Sequence, residues 1–215
     1  MTAPLIRLLT FISPAFPTGA FAYSHGLEHA VETNAITNGP TLQAWLENII
    51  EHGTGRADVI LLRHAHRAAH DAAQLRDLAT LAYATAAARE RHAESQTLGR
   101  AFAAAAAVWG TPDLPADPPY AVAVGAIAAH HHIGENDTAA AFLQNFTASL
   151  ISAAVRLVPL GQTTGLQTLA ALEPLILATV AATETATLDD LGGCAFLSDI
   201  AAMRHETQYT RLFRS

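Results

Sequence analysis

Apolar residues in this chain recur at helical spacing and almost nowhere at strand spacing. They make up 51% of its 215 residues, and much of that share is alanine, which favours helix and has little preference for strand. Leu42, Trp45, Leu46, Ile49 and Ile50 fall on one face of a predicted helix that follows the turn Asn38-Gly39-Pro40-Thr41. Val59, Leu62, Ala69 and Ala73 predict the next, with Arg56, Arg63 and Arg67 turned outward. Further helices are expected over about 75–88, 89–109, 120–132, 137–157, 163–172 and 174–184, with Pro174 in the first turn of the last. No segment alternates between hairpin turns as a strand would, and no repeat of fixed period occurs. The expected fold class is all-α: one helical domain of about eight to ten helices. It divides into an N-terminal segment (1–23), a helical core (24–190) and a tail (191–215) expected to be disordered when free. The Pro-rich stretch from Gly110 to Pro119 reads as a surface loop.

Charge narrows the function. The net charge is −7, and all 12 basic residues are arginine. Without lysine there is neither a phosphate-loop lysine nor a Schiff-base amine, so a nucleotide site of that kind must come from a partner. The acidic balance argues against nucleic acid. Cys194 is alone, so no disulfide forms within the chain. The longest uncharged apolar runs, Ala101 to Trp109 and Ala121 to Ala129, are shorter than a membrane span. Arg7 interrupts what would be a signal-peptide core. The expectation is a soluble, cytoplasmic protein with no cofactor and no membrane contact.

Several constellations bear on chemistry. Ser13-Pro14-Ala15-Phe16-Pro17-Thr18-Gly19-Ala20-Phe21 forms a shaped loop leading to Tyr23-Ser24-His25-Gly26-Leu27-Glu28. Its prolines fix φ and its glycines permit tight geometry. His25-Gly26-Leu27-Glu28-His29 also spells the H-x-x-E-H pattern of zinc peptidases, where two histidines share a helix face beside a general base. The scattered histidines, among them His66, His70 and the run His130-His131-His132, allow a direct metal store as another reading. Three consecutive histidines on a helix point about 100° apart, so the run reads first as a polar helix terminus. Arg156 ends an apolar helix, where an arginine commonly caps carbonyls. Glu90, Arg91, Glu94, Ser95, Leu98 and Gly99 form either a solvated helix face or a functional patch. In the tail, Arg204, Arg211 and Arg214 interleave with Tyr209, Leu212 and Phe213, a composition enriched at protein interfaces.

Three blocks of the chain, in order, resemble the UreF family of urease accessory proteins. They are Ser13 to Glu28, Arg156-Leu157-Val158-Pro159-Leu160-Gly161-Gln162-Thr163, and Asp199 to Tyr209 followed by Arg211 to Ser215. The resemblance implies a non-catalytic, all-α protein that tends to dimerise. It also implies a bridge between a UreD/UreH-type protein and the GTPase UreG, required for nickel insertion into apo-urease. Carried over position by position, the implied partner-binding residues are Ser13, Pro14, Phe16, Pro17, Gly19, Phe21, Ser24, Gly26 and Glu28. To these it adds Arg156, Pro159, Gly161 and Gln162 in the second block, and Arg204, His205, Glu206, Tyr209, Arg211, Phe213 and Arg214 in the third.

Overall fold

The computed structural model describes residues 2–215, which contain ten α-helices and no strand. In order they are α1 (Thr2–Phe11), α2 (Leu27–Glu32), α3 (Gly39–His52), α4 (Thr54–Arg67), α5 (Ala72–Ala84), α6 (Arg89–Ala106), α7 (Tyr120–His130), α8 (Glu135–Leu157), α9 (Gly161–Ala182) and α10 (Phe196–His205). The all-α class expected from the sequence is what forms.

α7 is the centre. Its sequence is apolar all round, and from Ala121 to Ala128 every residue is buried; a helix without a polar face belongs inside. α4 and α6 flank it closely because two glycines leave room. A Cβ on Gly125 would collide with the Leu62 carbonyl of α4, and one on Gly99 of α6 with the Pro118 carbonyl just before α7. α8 packs on α7, α4 and α9, and α9 closes against α3. α8 and α9 are long and apolar enough to cross a bilayer by length and composition alone. Here they are layers of the helical bundle. α1 lies along no other helix and is held chiefly by Leu8 and Phe11.

Local signals explain most helix starts. Asn38 caps α3 through its side chain, which accepts from the Thr41 N–H at 3.0 Å, while the Thr41 hydroxyl accepts from the Asn38 N–H at 3.1 Å. Asp71 caps α5 with its carboxylate alone, which accepts from the Ala73 and Gln74 N–H groups at 3.0 Å. The helix expected through Val59, Leu62, Ala69 and Ala73 is split, since α4 ends at Arg67 and Ala73 belongs to α5, which its own Asp71 cap starts anew. Two further expectations need correction. Pro174 does not start a helix but lies inside α9. It sits on an exposed face, so the carbonyl of exposed Ala170 that loses its N–H partner can turn to water.

Arg63 is the second correction. It was expected outward and is only 1% exposed. Its guanidinium donates to Glu135 Oε1 (2.6 Å), Asn136 Oδ1 (2.7 Å), the Val180 carbonyl (2.8 Å) and Thr183 Oγ1 (3.3 Å). One arginine thereby ties α4 to the start of α8 and the end of α9. Arg67 adds a two-pronged pair to the same Glu135 carboxylate, and it holds that carboxyl below the usual range together with Arg63 against the opposing effect of burial.

Candidate partner-binding site

The N-terminal loop and the C-terminal tail, far apart in sequence, meet at one end of the bundle. After α1 the chain turns through Ser13–Thr18, closed by the Phe16 N–H on the Ser13 carbonyl (2.9 Å) and the Thr18 N–H on that of Phe16 (2.7 Å). Pro14 and Pro17 are exposed, as is Phe21, whereas Phe16 is buried against Phe11 and Phe102 with ring centroids 5.6 and 5.3 Å away. Phe16 was expected to face a partner; it anchors the loop in an aromatic cluster instead. Gly19 adopts φ +80° with nothing near its missing Cβ, so it serves the backbone turn rather than close packing.

Glu28, at the start of α2, organises the tail. Its carboxylate accepts from the Leu212 N–H (2.6 Å), the Phe213 N–H (2.9 Å) and His205 Nε2 (3.1 Å). The other ring nitrogen of His205 lies 2.6 Å from Glu90 Oε2, and Glu90 Oε1 accepts from Arg211 at 2.7 Å. The two backbone N–H groups hold this carboxylate as the first N–H groups of a helix hold an anion. Glu206 adds a further tie, accepting from the Arg89 N–H at 2.8 Å and so capping α6, which has no cap of its own.

The last residues run back along the loop. The Arg214 N–H donates to the Ala22 carbonyl (2.9 Å) and the Ser24 N–H to that of Ser215 (2.8 Å). The Ser215 hydroxyl donates to Glu94 Oε2 at 2.7 Å, and the Ser24 hydroxyl to the Ser215 carbonyl. Arg156 is the third strand of this knot. Its guanidinium lies 4.4 Å above the Phe213 ring and donates to the Phe21 carbonyl at 3.0 Å. It therefore braces the loop and tail from α8. Pro159, Gly161 and Gln162 are exposed at the α8–α9 corner beyond it, and no recorded side-chain hydrogen bond joins them to the loop or tail. The tail is thus docked in this structure, with Phe213 and Ser215 buried.

Among the tail residues singled out, His205 and Phe213 point inward, while Arg204, Tyr209 and the side chain of Arg214 face outward. α10, which the sequence reading missed, leads into the tail and exposes Phe196, Leu197, Ile200 and Met203. Its approach to α2 depends on Gly26, which sits at φ +78° with its missing Cβ only 2.7 Å from the Ala202 backbone nitrogen. Ser24, Gly26, Glu28 and His205 are accordingly internal residues that hold the exposed residues of the loop and tail in place.

The peptidase geometry is not formed. α2 begins at Leu27, so His25 precedes it, at φ 62°, and does not share a helical face with His29. His25 is buried, accepts at Nδ1 from Arg91 and donates from Nε2 to Thr54 Oγ1 at 2.7 Å. Glu28 has both oxygens committed to the tail, and no group of three or more His, Cys, Asp or Glu among the described residues is arranged to hold a metal ion.

The patch on α6 is internal as well. Arg91 pairs with Glu94 at 2.6 Å, both nearly buried, and they line a small cavity with Asp58, Tyr23, Asn145 and Ser149. The Asp58 carboxyl lines it, beside Glu94. Burial first, and the Glu94 charge second, push it up from 3.8 to about 7. Nothing in the sequence marks Asp58, since only the fold sets it beside Glu94. A carboxyl whose folded value is raised stabilises fully below its unfolded value, and that contribution is lost as pH climbs to about 7. Asp58→Asn should therefore match the wild type near pH 4 and exceed it by about 2–4 kcal/mol at pH 8. Thermal unfolding at the two pH values checks this, and a gap that does not grow with pH would contradict it.

Comparison with known proteins agrees with this architecture. The UreF family model matches residues 36–173. The chain is 49% identical to the urease accessory protein UreF of Mesorhizobium japonicum, over 98% of this chain and 96% of that protein. The chain belongs to the UreF family. It is also 48% identical to the UreF of Rhodopseudomonas palustris strain BisB18 (99% of this chain, 92% of that one) and 44% identical to that of Agrobacterium fabrum (99% and 97%). The loop and the docked tail lie outside the segment matched by the UreF model, but inside the full-length similarity to these UreF relatives.

Proposed function

We propose that this chain is a urease accessory protein that works as a non-catalytic adaptor. In this reading it bridges a UreD/UreH-type protein and the UreG GTPase during nickel insertion into apo-urease, in the cytoplasm. The observation that carries the proposal is the docked loop and tail, which present Pro14, Pro17, Phe21, Arg204, Tyr209, Leu212 and Arg214 outward on an internally bonded base. Aromatic, apolar and arginine side chains on a fixed backbone are what an interface draws its energy from. The exposed face of α10 extends the same apolar character. We assign this end to the UreD/UreH-type partner. The proposal includes a homodimer through the apolar groove between α8 and α9, where Leu166 and Leu177 are exposed.

Co-expression tests it. The full chain should co-purify with UreD/UreH-type and UreG-type proteins, and the triple change Tyr209→Ala, Leu212→Ala, Arg214→Ala should weaken capture of the first at least tenfold with helicity unchanged. The chain by itself should show no GTP turnover, having no lysine for a phosphate loop. Full-strength capture by the triple variant, or GTP turnover by the chain free of UreG, would contradict the reading.

A further inference from the structure

We infer that α1 is held on the domain by a proton-sensitive clasp centred on His131, and that protonating this one ring releases the helix. Arg7 of α1 lies with its guanidinium nitrogen 2.9 Å from His131 Nδ1, and His131 Nε2 lies 2.9 Å from the Gly110 carbonyl. A guanidinium can only donate and a carbonyl can only accept. The two contacts therefore fix the ring as neutral, with its one proton on Nε2 and its lone pair on Nδ1 facing Arg7. Adding a proton at Nδ1 sets two donors and two positive charges against each other at hydrogen-bond distance. The tie then becomes a repulsion.

The surroundings reinforce this. Phe11 of α1 packs on the His131 ring at 5.6 Å, and Trp109, in the turn that follows α6, packs on Phe11. His130 stands at 5.0 Å and His132 follows directly, so the ring's titratable neighbours are Arg7, His130 and His132. No carboxylate forms an ion pair with it among the described residues. Burial is the main effect lowering the affinity of His131 for a proton; Arg7, His130 and His132 lower it further, against the hydrogen bond to Gly110. A histidine with a lowered folded value contributes its stability fully above its unfolded value near 6.5, and loses it as pH falls through the lower folded one. The clasp is closed at neutral pH and opens on acidification.

α1 is suited to such a release. It lies along no other helix, and it already exposes Leu5, Ile6 and Leu9, so Leu8 and Phe11 are the buried apolar side chains among its described residues that resist its departure. Freed, it would present an apolar stripe on a mobile arm.

Hydrogen exchange on the full chain, corrected for intrinsic rate, tests the clasp between pH 8 and pH 5. The amides of α1 should lose protection at least tenfold toward pH 5, while those of α4 and α7 keep theirs. His131→Gln, which can accept and donate without titrating, should abolish the difference. Equal protection of α1 at both pH values, the same response in His131→Gln, or loss of α4 and α7 protection together with α1 would overturn the inference. Should His131→Gln not fold, ring titration of wild-type His131 by NMR decides: a midpoint coincident with α1 release supports the clasp, and separate midpoints overturn it.

Discussion

Glu28→Ala should detach the tail while sparing the bundle. It removes the acceptor of the part-buried Leu212 N–H and the buried Phe213 N–H, and one of the two carboxylates around buried His205. Removing one partner from a buried charged network costs about 3–5 kcal/mol, because the groups left behind find no water. The expected result is a melting temperature lower by roughly 10 °C and rapid tryptic cutting at Arg204 and Arg211. The chain has no lysine, so trypsin cuts only at arginine, and faster cutting at these two with the arginines of the bundle still protected reports on the tail. On the proposed function, capture of the UreD/UreH-type partner falls with it. A Glu28→Ala protein whose tail resists trypsin as the wild type does would show that the other ties suffice.

Gly26→Val should be as damaging, by a different route. A side chain at φ +78° is strained by roughly 1–3 kcal/mol, and here the new Cβ meets the Ala202 nitrogen at 2.7 Å and its Cα at 2.9 Å. Backbone atoms inside a helix cannot step aside one at a time, so α10 must move as a body. The expectation is loss of hydrogen-exchange protection across 196–205, with α3, α4 and α7 unaffected and partner capture lost. Gly19→Val offers the control: its φ is similar but the space around it is open, so strain alone remains. Equal effects from the two changes would mean that contact with α10 does not matter.

Much of the fold could be read from local patterns. Burial of α7 and the presence of α3 and α6 follow from apolar spacing, which needs only a few neighbouring residues, although α3 starts at Gly39, inside the turn expected to precede it. α1 and α10 could not be read that way. Both are short, and both leave large apolar side chains exposed, so the one-sided burial that makes a helix legible is missing. Arg63 and Glu28 illustrate the other failure. A charged residue reads as surface until its partners are known, and those of Arg63 lie 72 to 120 residues away. The site was legible as a set of residues but not as an arrangement. Loop, Arg156 and tail were all marked, yet which of them face inward was decided by hydrogen bonds spanning most of the chain.

The tie between Glu28 and the tail joins groups 177 and 185 positions apart, and Ser24 reaches across 191. Ordering a loop of that length is favourable only after the intervening helices have condensed and shortened the distance. The surface built on those ties is therefore the last part of the molecule to assemble and among the first to open. A chain with an unfinished or damaged bundle has no such surface to show. On the proposed function, possession of the docked tail becomes a certificate of correct folding, legible to the partner that binds there, and immature copies are screened out of assembly without a separate inspector.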